Sequence, residues 1–419
     1  MATEDIGKKI YIGIDLDTDA VMVSYAYGTA IGNRGQIREP ETVSPLAGSE
    51  IFAIPLAICL KNDGGWAYGE EARRVAKAGL GVTQERLLER ALRGEQVQMG
   101  EKLYAVTELL AMFLKKMVTM AGRLGPASRL SQLVITTKTL NVAMIQLLKE
   151  CESLMQLPKG CVHFMDYKES FFYYGSNQPP EFSTHDMVLF SYDGNRLQFW
   201  CLEKEKRSVP QLLSIREETY NASREQADEI FARIIPESFG KRIVSTVYLV
   251  GDGFEGNWMQ HSLKLLCQGR RVFLGKNLFS KGACYAAMRL DDKTGFGYVY
   301  IGEHEIKSNI SLKVYERGNL QFYTLISAGI PWYEAAESCE VIIDGTPTID
   351  FWIQYPNSRE ARIETIELDT LPERENRTTR IRIEATPVSD HEVQFALTDV
   401  GLGELVPGSG KKWEYTLQL

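Results

Sequence analysis

The stretch Tyr11–Ala20, YIGIDLDTDA, decides how the start of the chain is interpreted, because it joins a strand pattern to a cluster of acids. Its first half is an apolar run typical of a buried β-strand. Asp15, Asp17 and Asp19 then follow at every second position, where the chain is expected to turn. Asp is a common turn former, so the simplest interpretation is a tight hairpin whose carboxylates cap the turn and face solvent.

Chain length, composition and net charge limit the classes of protein to which this chain can belong. A chain of 419 residues indicates two or three domains, and 44% hydrophobic with 24% charged residues is a globular composition. The net charge of −8 argues against a nucleic-acid or anionic-membrane surface. The longest apolar run, IFAIPLAICL, is too short to span a bilayer. We therefore expect neither nucleic acid nor membrane among the partners.

Cysteine and histidine usage indicates the compartment. The seven cysteines are scattered and form no C-x-x-C pair, which is typical of reduced thiols. The five histidines have no neighbour at metal-ligand spacing. The N-terminal MATEDIGKK lacks the apolar run of a signal peptide. These features predict a cytoplasmic protein.

Strands and helices are predicted to alternate up to about residue 290. Helix 101–121 is predicted from apolar residues at helical spacing, beginning with Leu103. An Asp-Gly turn at residues 193–195 predicts a hairpin. The remaining predicted strands cover residues 9–14, 21–28, 132–137, 162–165, 187–192, 197–204 and 245–251, and the remaining helices 141–155, 168–175, 222–235 and 278–288.

The pattern of apolar and polar residues changes near residue 296. From there to the end, alternating apolar and polar runs are joined by Gly, Asn and Asp turns, and helical periodicity is lost. This pattern predicts an all-β module of roughly 120 residues, a sandwich by strand number and spacing.

Six segments in order resemble one superfamily, the actin-like ATPases, and within it the seventy-kilodalton heat-shock chaperones. They resemble, in turn, the first phosphate loop, a buried strand with its helix, the connecting segment, the second phosphate loop, the adenosine loop and the closing helix. The segments are YIGIDLDTDAVMVSYA, LSQLVITTKTLNVAMIQLLKECESLMQL, VHFMDYKESFFYYG, VLFSYDGNRLQFWCL, YLVGDGFEGNW and KNLFSKGACYAA.

The resemblance implies a fold and three domains. The fold would be α/β plus all-β: a two-lobed actin-like, ribonuclease H-like ATPase-type domain followed by a β-sandwich. Lobe I would cover residues 1–180, a shortened lobe II residues 181–295, and a sandwich like the chaperones' peptide-binding domain residues 296–419. No helical lid is expected after it, because the sequence stops at Leu419 in a strand-like run.

The resemblance also implies a nucleotide site, with ATP and Mg²⁺ as ligands that are allowed but not required. Asp15 and Asp193 would hold Mg²⁺ only if ATP binds, and no catalytic residue is assigned. The residues that would surround the nucleotide are Asp15, Asp17, Thr18, Asp19, Asp193, Gly194, Asn195, Gly251, Gly253 and Gly282.

The sequence departs from the family at these same positions. Asp17 replaces a loop glycine and Asp19 a threonine, while Ser191 stands where the family has an aspartate. Two acids beside a triphosphate would repel it, by on the order of 4 kcal/mol for each charge pair at 4 Å and an effective dielectric of 20. Only about 60 residues separate Ser191 from Gly251, less than half the family's usual interval, so the resemblance implies that most of the outer part of lobe II is missing.

These departures predict a degenerate chaperone-like protein that binds peptide or protein segments, with weak or absent ATP binding and hydrolysis. Trp332 and Tyr333 are candidate anchors for a polypeptide client. The lobes would serve as a scaffold, and a homodimer is compatible with this interpretation.

Three alternatives stay open: an active chaperone-type ATPase with a rearranged Mg-ATP site, an actin-like assembly protein, and a haloacid-dehalogenase-type phosphatase. The last is suggested by Asp15-Leu16-Asp17-Thr18, which is one glycine short of D-x-D-G-T. An EF-hand is excluded because Ala20 and Ala26 occupy the positions that require Gly and Glu.

Overall fold

The computed structural model describes residues 9–28, 38–45, 49–121, 129–205, 210–292 and 296–419. The chain forms two compact units, Met1–Glu203 with Ile215–Phe296, and Lys204–Ser214 with Gly297–Leu419. The first mixes helices and strands, whereas the described part of the second contains strands and no α-helix. At this level the predicted combination of an α/β region and a β-rich region is confirmed.

The first half of the first unit is built on a mixed sheet with the strand order β11-β10-β1-β2-β3, and β4 also pairs with β2. β1 and β2 form an antiparallel hairpin, while β1, β10 and β11 are parallel. The elements are β1 (Ile10–Leu16), β2 (Ala20–Tyr27), β3 (Glu41–Thr42), β4 (Ile54–Pro55), β5 (Ile58–Lys61), β6 (Trp66–Tyr68), α1 (Glu70–Lys77), β7 (Gly81–Gln84), α2 (Leu87–Leu92), β8 (Gln96–Met99), β9 (Lys102–Ala105), α3 (Val106–Ala121), β10 (Leu130–Thr137), α4 (Val142–Met155), β11 (Val162–Asp166) and α5 (Tyr167–Ser176).

The second half of this unit follows the same plan, with the strand order β16-β15-β12-β13-β14. β12 and β13 form an antiparallel hairpin, and β12, β15 and β16 are parallel. The elements are β12 (Asp186–Tyr192), β13 (Arg196–Lys204), β14 (Gln211–Asn221), α6 (Ala227–Phe239), β15 (Val244–Val250), α7 (His261–Leu266), β16 (Arg271–Leu274) and α8 (Leu278–Leu290). Each half thus has a hairpin, a third strand beside it, and two parallel strands on the other side.

The last helix of each half packs on the sheet of the other half. α8 packs on β1, where a Cβ atom at Gly13 would lie 2.2 Å from the backbone nitrogen of Cys284. α5 packs on the second sheet, since the rings of Phe171 and Tyr174 contact Tyr248 of β15. α5 and α8 also cross each other closely. Each half therefore completes part of the other's core.

The second unit is a sandwich of two four-stranded sheets, β19-β18-β21-β22 and β20-β23-β24-β25. The core lies between them and includes Ile310, Phe351, Ile383 and Phe395. β14 begins in this unit, where residues 211–213 pair with β17. The strands are β17 (Tyr298–Tyr300), β18 (Asn309–Glu316), β19 (Asn319–Ile326), β20 (Glu337–Ile342), β21 (Thr348–Gln354), β22 (Arg362–Glu367), β23 (Arg380–Ser389), β24 (Glu392–Asp399) and β25 (Lys412–Gln418).

One predicted helix begins too early. Residues 102–105 form strand β9, which pairs with β8 around Gly100, and the helix starts at Val106. Leu103 therefore lies on an exposed strand instead of the apolar side of α3. Gly100 has φ of 62°, a conformation that favours glycine and permits this short hairpin. The other predicted strands and helices are found, with ends shifted by a few residues.

The first compact unit is not divided further, so the boundary between lobes at residues 180 and 181 stays a prediction. Across the described ranges, no helix is long and apolar enough to cross a membrane.

Candidate functional site

Asp15 stands near the end of β1 and is buried, with 6% of its surface exposed. The hydroxyl of Tyr167, the first residue of α5, donates a hydrogen bond of 2.6 Å to its Oδ1. Burial raises the pKa of Asp15 to about 7; the Tyr167 hydrogen bond opposes this rise and the charge of Asp17 adds to it. The carboxyl is therefore not the solvated turn residue that the simplest interpretation of the sequence predicted.

An aromatic bridge, defined as Tyr167, Phe279 and Trp200, extends from Asp15 to the second sheet. The Tyr167 ring stacks on Phe279 of α8, with centroids 3.9 Å apart, and Phe279 contacts Trp200 of β13. All three rings are at least nine-tenths buried. Apolar rings thus occupy the space beside the carboxyl, where a hydrated ion would need polar ligands.

A hydrogen bond and an ion pair, both to Glu217, support the aromatic bridge from the second sheet. The Trp200 Nε1 donates to Glu217 of β14, and the same carboxylate pairs with Lys168 of α5 at 2.8 Å. The side chain of Lys168 is 18% exposed, so the pair is partly shielded from solvent. The start of α5 is therefore fixed to both halves of the first unit.

The first hairpin turn places Asp17, Thr18 and Asp19 in solvent, as predicted. The backbone N–H of Thr18 donates to the Asp17 carboxylate at 2.8 Å, and the N–H of Asp17 donates to the carbonyl of Ala20. The carbonyl of Asp19 accepts from Leu56. These bonds engage two N–H groups that a phosphate-binding turn would present to its ligand.

The second hairpin turn repeats this arrangement. Oδ1 of Asp193 accepts from the backbone N–H groups of Asn195 at 2.9 Å and Arg196 at 2.8 Å. These hydrogen bonds lower the pKa of Asp193, burial opposes them, and the charge of Lys138, which follows β10, contributes. Gly194 has φ of 98°, and the Arg224 guanidinium lies against it. The turn's own carboxylate therefore takes the place of an anion.

Gly251 and Gly253 lie beside this second turn. Cβ atoms at either glycine would lie 2.4 Å from atoms of Tyr192, and one at Gly253 would lie 2.7 Å from the nitrogen of Gly194. Phe254 is buried against Tyr192 and Trp258, whose Nε1 donates to the carbonyl of Gly253. The loop packs on the turn through glycines, and its next residue joins the core.

Gly282 lies where two helices pack closely together. It lies in α8, where a Cβ atom would be 2.1 Å from the carbonyl oxygen of Ser170 in α5. A position this close to another helix backbone requires glycine for packing. Gly282 therefore contributes to the crossing of α5 and α8.

The residues present do not fit Mg-ATP. The N–H groups of Thr18, Asn195 and Arg196 are bonded to the Asp17 and Asp193 side chains. Asp15 is enclosed by Tyr167. Across the described ranges, no group of three or more His, Cys, Asp or Glu side chains could hold a metal ion. Binding a triphosphate would require breaking these bonds and accepting the repulsion of nearby carboxylates.

The two candidate peptide anchors lie in the sandwich, where both contribute to its interior. Tyr333 is 7% exposed, and Trp332 packs against the core cluster. Their rings meet edge to face with centroids 5.5 Å apart. Neither side chain is displayed as a free apolar anchor.

The site residues that sequence reasoning missed are the members of the aromatic bridge. Tyr167 stands one position after Asp166, whose side chain caps α5 by accepting from Glu169. That capping signal locates the helix start, but Phe279 and Trp200 come from distant parts of the chain. No local pattern brings the three together.

Comparison with known families gives two adjoining matches. The C-terminal profile of a family of unknown function (DUF5716) matches residues 39–303, more than half of the chain. A domain of unknown function (DUF8552) matches residues 305–419, which falls within the second compact unit. No curated protein matches the sequence. The chain therefore belongs to the DUF5716 family.

Proposed function

We propose that this protein is a degenerate, chaperone-like binder of polypeptide segments, in which the first unit is a scaffold that has lost nucleotide turnover. One observation carries the proposal: in both halves the side chain of a turn aspartate, Asp17 or Asp193, accepts hydrogen bonds from backbone N–H groups of its own turn. Backbone N–H groups that are bonded to the turn's own carboxylate cannot donate to a phosphate at the same time.

The repeated sheet plan supports an actin-like first unit. Two sheets, each with a hairpin followed by parallel crossover strands, are what a pair of ribonuclease H-like lobes requires. The exchanged helices α5 and α8 also agree with lobes that are packed together. This support concerns the fold, whereas the loss of ATP binding is argued from the two turns and the aromatic bridge.

The second unit supports the binding half of the proposal. A two-sheet sandwich is the architecture that the resemblance implies for residues 296–419, and the described unit has that architecture. Its apolar core is complete without a client. A polypeptide would therefore bind at an exposed strand or loop, by main-chain hydrogen bonds and side-chain contacts.

Isothermal titration of the full chain with Mg-ATP tests the first half of the proposal. We expect no heat of binding at millimolar nucleotide. A dissociation constant near micromolar would favour the alternative of an active ATPase with rearranged carboxylates. The aromatic bridge gives a variant for comparison, Trp200→Leu, which removes one of its three rings without changing a residue of either turn.

A library of fluorescent apolar peptides, screened by anisotropy against the full chain, tests the second half. We expect saturable binding to a subset of extended apolar sequences. Uniform absence of binding would remove the chaperone-like function and leave only the scaffold.

A further inference from the structure

The hairpin of β18 and β19 projects beyond the core of the sandwich. Residues 319–324 of β19 are exposed on both faces of the sheet, and burial begins only at Leu325. β19 is the outermost strand of its sheet and, within the described residues, pairs with β18 alone. Such an edge presents N–H and C=O groups that no neighbouring strand uses.

This edge lacks the devices that usually protect one. The strand sequence NLQFYTLI contains no charged residue, proline or glycine. The irregularity in its pairing with β18 lies between Ile310 and Ser311, at the buried end of the hairpin. An exposed, uncharged edge strand is a template for another strand unless a partner covers it.

Apolar side chains continue from this edge across the outside of the sheet. Cross-strand pairing sets Leu320 opposite Tyr315, and sets Trp352 opposite Ile363 on the neighbouring strands. The Phe322 ring meets Trp352 edge to face at 5.2 Å. We name this set the outer apolar face: Tyr315, Leu320, Phe322, Trp352 and Ile363, of which all but the half-buried Trp352 are more than 40% exposed.

Two exposed cations accompany the outer apolar face. Lys313 is opposite Phe322 and its Nζ lies 5.4 Å from the Trp352 ring centroid, while Arg317 is at the hairpin tip. In the described part of the chain neither forms an ion pair with a carboxylate. A second copy of the chain would bring the same two cations to a shared face, whereas a carboxylate-bearing partner would neutralise them.

We propose that an extended segment of a client polypeptide adds to β19 as a further strand. Its main chain bonds to the free edge, and its alternate apolar side chains lie beside Leu320 and Phe322. A carboxylate near one end of the segment lies beside Arg317. This inference rests on the proposed function, because it locates the client site of the sandwich.

Fluorescence anisotropy with the full chain tests the site. The probe is a labelled peptide of alternating valine and threonine that ends in two glutamates. We expect Phe322→Glu to weaken its binding about tenfold or more, because an apolar contact is replaced by a charge at the centre of the site. Leu405→Glu is the matched control: Leu405 is 95% exposed between β24 and β25, and this substitution should leave binding unchanged.

Two further measurements separate the parts of the proposal. Arg317→Glu should reverse the preference, so that the same peptide ending in two lysines binds more tightly than the glutamate form. Methylation of alternate backbone nitrogens in the peptide should abolish binding, because it removes the donors of a β-ladder. Circular dichroism of each variant confirms that the sandwich is intact.

Several outcomes would overturn the proposal. Equal binding by the Phe322→Glu and Leu405→Glu variants would place the client elsewhere and leave the proposed function standing. Unimpaired binding of the methylated peptide would exclude strand addition. A wild-type dimer, seen by sedimentation velocity and lost in Phe322→Glu, would make a second copy the occupant. Failure of the wild type to bind any peptide of the library would refute the proposed function as well.

Discussion

The hydroxyl of Tyr167 donates a 2.6 Å hydrogen bond to Asp15, a residue 152 positions earlier in the chain, within a buried environment. This contact joins β1 to the start of α5. It also encloses the acid that, by resemblance, would orient Mg²⁺. The titration of Asp15 therefore reports whether the enclosure exists in solution.

The first prediction concerns pH. The folded-state pKa of Asp15, about 7, lies above its ordinary value of 3.8, so the folded protein binds the proton more tightly. The stabilisation from Asp15 is fully present below pH 3.8 and is lost as pH rises through 7. Asp15→Asn should remove this loss and raise the free energy of unfolding at pH 8 by up to about 4 kcal/mol.

Urea unfolding of the wild type and of Asp15→Asn at pH 5 and pH 8 measures the difference. The exposed Asp19→Asn serves as the control and should follow the pH dependence of the wild type. Identical pH dependence in the wild type and in Asp15→Asn would show that Asp15 is solvated in the folded state.

The second prediction concerns the donor. Tyr167→Phe leaves the buried Asp15 carboxyl without its hydroxyl partner and should destabilise the protein by about 1–3 kcal/mol. Because the hydrogen bond lowers the pKa of Asp15, its loss should also raise that pKa. Tyr25→Phe removes a hydroxyl that bonds the exposed Glu41 and should change stability little. Comparable losses in the two variants would contradict a special role for Tyr167.

The third prediction concerns the crossing of α5 and α8. Gly282→Ala places a methyl group against the rigid backbone of Ser170 and should cost about 1–3 kcal/mol or more through overpacking. Gly175→Ala is the matched control, since its methyl would meet only the flexible end of Met187 and the Leu202 side chain. Thermal unfolding of both variants makes the comparison, and a milder effect at Gly282 would refute the close crossing.

The fourth prediction concerns the sandwich. Burial opposes ionisation of Asp399, but hydrogen bonds from Arg374 and Ser409 outweigh it and hold the Asp399 pKa well below its ordinary value. The resulting stabilisation is present above the unfolded pKa of 3.8 and is lost as pH falls below it. Asp399→Asn should therefore destabilise the second unit at pH 7, by about 3 kcal/mol.

Chemical unfolding, monitored by hydrogen exchange of the backbone amides of β23 and β24, measures that loss of stability. Asp344→Asn removes an ion pair with Arg377 in which the two side chains are 40% and 71% exposed, and it should change stability only slightly. If the two substitutions had equal effects, the Asp399 network would contribute no more than a surface pair.

Local patterns predicted the elements whose stabilising contacts are also local. The Asp193-Gly194-Asn195 turn forms the predicted hairpin because Asp193 bonds to N–H groups two and three residues on. Asn141 begins α4 by accepting from the N–H of Met144, which is a cap that sequence can reveal. In both cases the donor and acceptor are within three residues of each other.

Long-range packing explains what sequence did not predict. Asp15 looked like a turn residue, but its burial depends on Tyr167 and, through it, on Phe279. Trp332 and Tyr333 were predicted as peptide anchors, yet the sequence alone does not show whether an aromatic side chain in a turn packs into the core or faces solvent. Leu103 fitted the helical spacing of α3, and the turn at Gly100 placed it on a strand instead.

The exchange of α5 and α8 has a consequence for synthesis on the ribosome. β1 is made well before the helix that covers Gly13, which comes about 270 positions later. Until α8 emerges, the apolar side of the first sheet has no lid of its own and stays open to other nascent chains and to chaperones. The core of the first sheet is therefore completed only after α8 has been made.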